Sequence, residues 1–446
     1  MHRIHIFCKG LVSSIAMLLA AQAYAVLPIQ EISLSNGTKA YLIQTNALPM
    51  IDIEISIDAG SRYDPKNQSG LAALTAAMLT RGISWQGGAL NEAQQADAIA
   101  ELGASISASA SGERTIVRAR SLSKPELFNP LLQLLVASVS KPIFDQSILI
   151  REKQRVSSAI QEGDTKPEVV LQKRFRQAVF GNYPLARSPS IESIAAIQEG
   201  DLKRFHQDFY RQDRVIVNLV GNIDHAGAKQ IAEQIIGALP AKGPTIPVLP
   251  PLERSPIEPE SQRVIRIPFQ TQQTHIAMGM TAIPRDNPDY FPLLVGNYVL
   301  GGGGFVSRLV GEVRDKRGFA YSVFSYFQPG RDTGTFEAGL QTRNDQADQA
   351  LKVLQETVAR FIEDGPSEAE LAAAKANLIN GYPLRLDSNR KLLDNLSAIT
   401  WNQLPLNTLD IWTQHVAAVK KDDVRNAFKR HLDMRRMISV LVGSAP

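Results

Sequence analysis

The sequence predicts an α+β protein of two homologous domains, each an antiparallel sheet covered by helices. Three observations lead there. The chain has 446 residues, too many for one ordinary core and suited to two domains of roughly 200 residues each. Residues 240–259 carry seven prolines with neither helical nor strand periodicity, the composition of a semi-rigid linker. The stretches on either side repeat each other at an offset of about 222 residues, as the Val-Gly endings at Gly221 and Gly443 illustrate. The expected division is 26–239, a linker at 240–260, and 261–446.

Residues 1–25 read as a secretory signal. Arg3 and Lys9 form the charged start, residues 11–21 an apolar run, and Ala23-Tyr24-Ala25 the small-residue cleavage site. The alternative is a retained anchor, although the run is too short for a permanent membrane span. Export to a bacterial periplasm is therefore expected, with no integral membrane segment once the signal is removed. Cys8, the only cysteine, precedes the apolar run, so the mature chain has no thiol or disulfide. Of 48 basic residues two lie in the signal, leaving 46 against 44 acidic. That balance implies neither nucleic acid nor an anionic membrane as partner.

In the first half, Ile51-Asp52-Ile53-Glu54-Ile55 alternates like a half-buried strand, and Thr274-His275-Ile276-Ala277-Met278 lies at the matching place in the second. Each leads to a helix-like run, 71–79 and 290–300. Residues 201–221 answer 423–443, a helix followed by a short strand. Gly181-Asn182-Tyr183-Pro184-Leu185 echoes Asn380-Gly381-Tyr382-Pro383-Leu384. Between these markers each half is expected to hold a hairpin and two helices. Ser123-Lys124-Pro125-Glu126 and Ser367-Glu368-Ala369-Glu370 read as capping boxes that open helices. Hairpins rather than regular βαβ units point to antiparallel sheets.

Residues 69–82, Ser-Gly-Leu-Ala-Ala-Leu-Thr-Ala-Ala-Met-Leu-Thr-Arg-Gly, are where chemistry is to be sought, and they contain none. Alanine and leucine favour helix, and Gly82 suits its left-handed end. The helix is apolar on nearly every face, so burial is expected. Its pattern resembles the metal helix of the inverted-motif zinc peptidases, the insulinase, pitrilysin and mitochondrial processing peptidase superfamily. There the run is Gly-x-Ala-His-x-x-Glu-His-Met, with two zinc-binding histidines and a glutamate base. Gly70, Ala72 and Met78 keep the frame. The resemblance puts the histidines at Ala73 and Ala77, the base at Ala76, and the third ligand, a later glutamate, at Ala159. Glu152 matches the acid that precedes that ligand and is expected to be a solvated helix residue. A methyl group has no lone pair, so no catalytic residue and no zinc are expected on this chain. The four alanines imply a buried face repacked with small residues. The remaining histidines, His206, His225, His275, His415 and His431, are isolated and read as surface or core residues.

Residues 300–325 carry the firmest resemblance. The superfamily's second domain has a run like Gly-Gly-Gly-x-x-Ser-Arg-Leu, then an arginine and a tyrosine seven residues apart. Arg314 and Tyr321 fall on those positions, with Asp315, Lys316 and Gly318 between them. A guanidinium and a phenol can both donate to a carbonyl oxygen, which suits substrate orientation and stabilisation of developing charge. The structural alternative is that Arg314 ends a helix and Tyr321 opens a half-buried strand. Gly301, Gly302, Gly303 and Gly304 lack a phosphate-loop continuation and read as a flexible loop between helices, touching extended substrate backbone.

The resemblance covers the whole mature chain and implies a processing-peptidase-like fold. It further implies the non-catalytic, substrate-binding subunit of a two-subunit zinc peptidase. A homologous partner would carry the zinc, and unfolded peptides would be the substrate, added to a sheet edge. A peptide-binding or scaffold protein without peptidase activity is the alternative; a displaced metal site is a third, weaker one.

Overall fold

The computed structural model describes residues 27–444, so the expected signal lies outside the described residues. Two sheets form the frame. The first has the order β1-β2-β8-β3-β7-β6, from β1 (Ile29–Ser33), β2 (Lys39–Gln44), β3 (Met50–Ile57), β6 (Ser105–Ala110), β7 (Thr115–Leu122) and β8 (Val215–Gly221). A separate two-stranded ribbon pairs β4 (Gly82–Trp85) with β5 (Gly88–Asn91). The second sheet has the order β11-β12-β10-β13-β9, from β9 (Val264–Pro268), β10 (Gln273–Thr281), β11 (Ala320–Pro329), β12 (Gly334–Arg343) and β13 (Ile438–Gly443).

Apart from β1, which has no counterpart among the described residues, the two orders are the same once the second is reversed: β9, β13, β10, β12 and β11 stand where β2, β8, β3, β7 and β6 stand. Both sheets are antiparallel except for one parallel pair, β2 with β8 and β13 with β9. The registers agree as well. Ile53 faces Leu219 and Ile276 faces Leu441, each on the central strand beside the closing one. Helix and strand therefore alternate twice over on one plan, as the sequence repeat requires. Residues 240–259 form neither helix nor strand.

Each half lends a helix to the other. The helix Asn389–Trp401, from the second half, packs on β2, β3 and β8. Its Leu392, Leu393, Leu396 and Ile399 cluster with Ile43 and Val220. Reciprocally, Pro167–Phe180 packs on β10 and β13, where Leu171, Phe175 and Val179 meet Ala277, Val440 and Val442. Burying each such side chain is worth about 1.5–3 kcal/mol, so the halves hold each other.

This exchange corrects the expectation of a half-buried β3. The strand is buried on both faces, Asp52, Glu54 and Ser56 included, because the visiting helix covers the polar side. Glu54 accepts from Arg118 at 2.7 Å and 2.9 Å, from Ser56 at 2.8 Å, and from Ser397 of the visiting helix. Arg120 reaches Asp52 at 2.6 Å. Each half also holds five α-helices between its hairpin and its closing strand, more than the two expected, and the exchanged helix is the third of them.

Of the two expected capping boxes, only the second forms. Ser367 Oγ accepts from the Glu370 amide at 3.2 Å, and Glu370 accepts from the Ser367 amide at 2.7 Å. At the first, Lys124 occupies the cap without a side-chain bond and Pro125 begins the helix Pro125–Ser140. Proline already fixes the helical φ there and has no amide to satisfy.

Candidate functional site

The helix Leu71–Met78 starts from Gly70, whose φ of 107° is left-handed. Asp64 caps it from the preceding turn, accepting from the Gly70 amide at 2.7 Å and the Ala72 amide at 2.9 Å. Burial pushes the Asp64 carboxyl up to about 6 despite those bonds. The helix ends at Leu79 rather than at Gly82; Gly82 has a φ of 123° but opens β4. Gln146–Asp164, which carries Glu152 and Ala159, packs against this helix.

The four alanine positions do not form the expected buried, repacked face. Ala76 is buried, but Ala77 is half-buried and Ala73 and Ala159 are exposed. A metal's ligands must face a cleft that admits substrate, and the backbone frame keeps that direction after the side chains are lost. Zinc needs nitrogen, sulfur or oxygen donors, and three methyl groups supply none, so these residues do not fit the metal.

Glu152 is not solvated either. It is buried, with Arg155 Nε at 2.8 Å, Arg81 Nη2 at 3.3 Å and Arg151 Nη2 at 3.5 Å. Arg151 and Arg81 also hold Glu92. A buried carboxylate is costly unless paired, and Arg81, in the turn between the helix Leu71–Met78 and β4, lies in reach of it. The arginines at 81, 151 and 155 were the available sequence signal.

The histidines are scattered. His206 Nε2 meets the Val139 carbonyl at 2.7 Å, His431 meets Asp289 at 2.7 Å, and His415 stacks on Phe291. His225 begins the helix His225–Gly237 and His275 lies in β10.

The second fragment of the site is better formed. The helix Tyr290–Asn297 runs on as a π-helical turn, Tyr298–Gly302, so Gly301 and Gly302 are helical rather than part of a loop. A side chain at Gly301 would sit 2.4 Å from Ser325 Oγ and 2.5 Å from its amide; the turn packs directly on β11. Gly303 then breaks the helix, and Gly304 takes a φ of 62° that favours glycine. This turn throws Phe305 and Val306 outward, 75% and 78% exposed.

Arg314 closes the π-helical turn Val310–Asp315, as its structural alternative anticipated. Tyr321 is the second residue of β11, whose mixed burial is that of a half-buried strand, as the same alternative anticipated. It lies on β11, an edge strand, where the register slips between Ala320 and Val323. Such bulges re-aim side chains, and Tyr321 is 84% exposed. The Arg314 guanidinium lies 5.1 Å from the Tyr321 ring centroid and 4.8 Å from that of Phe305, a stacked arrangement worth about 0.5–1 kcal/mol per ring at exposed sites. Among the described residues Arg314 has no ion pair. The polar and aromatic contacts of Arg314 and Tyr321 stay within this half and do not reach Leu71–Met78 or Ala159.

Two family models match the chain: "Insulinase (Peptidase family M16)" over residues 41–190 and "Peptidase M16 inactive domain" over 196–378. A solved peptidase M16 inactive domain from Pseudomonas fluorescens is 31% identical, with a TM-score of 0.87 over 94% of this chain and 98% of that one. Among curated relatives, an uncharacterized zinc protease of Bacillus subtilis is 27% identical, covering 82% of this chain and 87% of its own length. A non-peptidase homolog from Helicobacter pylori is 24% identical over 90% of each chain.

Proposed function

The chain belongs to the insulinase family, peptidase family M16, and from that premise we propose that it is the non-catalytic, substrate-orienting subunit of an exported two-chain zinc peptidase. One observation carries the proposal. Every ligand and base position of the zinc helix is alanine, yet Arg314 and Tyr321 are both kept, with Tyr321 open to solvent and the half-buried Arg314 guanidinium stacked beside it. A scaffold needs neither side chain.

In this account the partner is a homologous chain with its own His-x-x-Glu-His helix and zinc. This chain holds the extended peptide and offers two donors, the Arg314 guanidinium and the Tyr321 hydroxyl, to a substrate carbonyl oxygen. Donors set in advance stabilise the charge that grows on that oxygen. A side chain at Gly304 would meet nothing within 4 Å, which leaves room for peptide backbone beside the pair. The signal-like residues 1–25 support a periplasmic location, and among the described residues no helix is long and apolar enough to cross a membrane.

The experiment is co-purification from the periplasm with a family member that retains the zinc motif, followed by a peptide-cleavage assay of each chain alone and of the pair. Cleavage confined to the pair supports the proposal. Isolation without any zinc-bearing partner favours a peptide-binding or scaffold protein instead.

A further inference from the structure

A cavity of about 560 Å³ opens between the helices Gln146–Asp164 and Pro167–Phe180 and the turn entering the helix Ile191–Ala196. Ser69, just before the cap of the alanine-bearing helix, and Ile160, next to Ala159, are in its wall. The cavity therefore adjoins the erased metal site without being part of it.

Its charge is unbalanced. Lys66, Lys173, Arg174 and Arg187 line it, against Asp164 and Glu192. Asp164 is taken up by Lys173. Arg187 donates to the carbonyls of Asp64 at 2.9 Å and Pro184 at 3.4 Å. Those bonds fix the guanidinium, and the nearby Asp64 carboxylate offsets part of its charge without forming a direct ion pair with it. Arg174 meets only the Gln177 amide oxygen, at 3.0 Å. Among the described residues, Lys66, Arg174 and Arg187 have no ion pair.

We propose that this cavity binds the carboxylates of an acidic peptide segment. An arginine fixed by backbone carbonyls presents its remaining N–H groups as a fork suited to a carboxylate. The cavity's size suits a few residues rather than a long polyanion. The chain as a whole has 48 basic against 44 acidic residues, a balance that does not mark a nucleic-acid surface. Binding here needs no zinc partner, so it stands or falls separately from the role of Arg314 and Tyr321.

The test uses the isolated full chain and two fluorescent octapeptides of extended composition, one carrying three aspartates or glutamates and the other their Asn or Gln isosteres. Anisotropy should give about tenfold tighter binding of the acidic peptide, the yield of one net charge-assisted hydrogen bond. The preference should weaken as salt rises. Lys66→Glu combined with Arg174→Glu should abolish it; both residues are exposed, and a thermal melt checks folding. Arg187→Gln should reduce it, read in the same way. Equal affinity for the two peptides, no binding of either, or a preference that survives the double variant would overturn the proposal. Tighter binding of a single-stranded oligonucleotide of equal charge would do so too.

Discussion

Arg308 grips Glu370 with two parallel hydrogen bonds of 2.7 Å, Nε to one carboxylate oxygen and Nη2 to the other. Glu370 also completes the capping box at Ser367. Two arginines of the glycine-rich motif region thus have opposite fates. Arg308 is tied to the fold, and Arg314 is left without a carboxylate and stacked between two exposed rings.

The pair at Glu370 predicts a pH dependence. Arg308, helped by Ser367, holds the Glu370 carboxyl down at about 2, against an ordinary 4.5. A depressed folded pKa contributes stability that is fully present above 4.5 and is lost as pH falls from there through 2. Glu370→Gln should therefore melt a few degrees below wild type at neutral pH, and the gap should close as pH approaches 2. Melts across that range check this; a gap independent of pH would mean that the charge contributes nothing.

The exchanged helices predict cooperative unfolding. Phe175 is buried between its own helix and the sheet of the other half. Phe175→Ala should cost about 3–5 kcal/mol and lower a single melting transition shared by both halves. Two separate transitions in wild type would contradict the mutual packing.

Much of this fold was legible in the sequence because each half repeats the same markers: the paired strands at Ile51 and Thr274, and the closing strands at Gly221 and Gly443. The exchange was not legible. Asp52 and Glu54 alternate with isoleucine as a solvated strand face would, and periodicity cannot tell water from a helix bearing Ser397 and from the arginines of β7. Glu152 misled for the same reason, since Arg81 reaches it from a distant turn to complete the pairing begun by Arg151 and Arg155 on its own helix. At the site, residue type identified Arg314, Tyr321 and the four alanines. Their exposure depended on the bulge at Tyr321 and on the direction of a helix face, which composition does not encode.

Metal binding can be rebuilt as a test of the frame. The mature protein should hold no stoichiometric zinc, and Ala73→His alone should not restore it. Ala73→His, Ala77→His and Ala159→Glu together should bind about one zinc per chain, because these positions lie on two helices packed together, with Ala73 and Ala159 open to solvent. Elemental analysis decides it, and tightly held zinc in the wild type would refute the account of the site.

Intact-mass analysis of periplasmic protein should give a chain beginning at or near Val26. A retained Met1 that sediments with membranes would overturn the export reading.

The central claim is that Arg314 and Tyr321 act on a substrate held before a partner's zinc. Tyr321→Phe keeps the ring that stacks on Arg314 and removes only the hydroxyl, so folding and assembly should hardly change. Losing one preorganised donor costs about 3 kcal/mol, on the order of a hundredfold in turnover. The decisive measurement is peptide cleavage by the reconstituted pair, at equal complex formation, with wild type, Tyr321→Phe and Arg314→Ala. Turnover about a hundredfold lower in Tyr321→Phe, with Arg314→Ala also impaired, is the predicted result; unchanged cleavage by both variants would contradict the claim and leave this chain a scaffold.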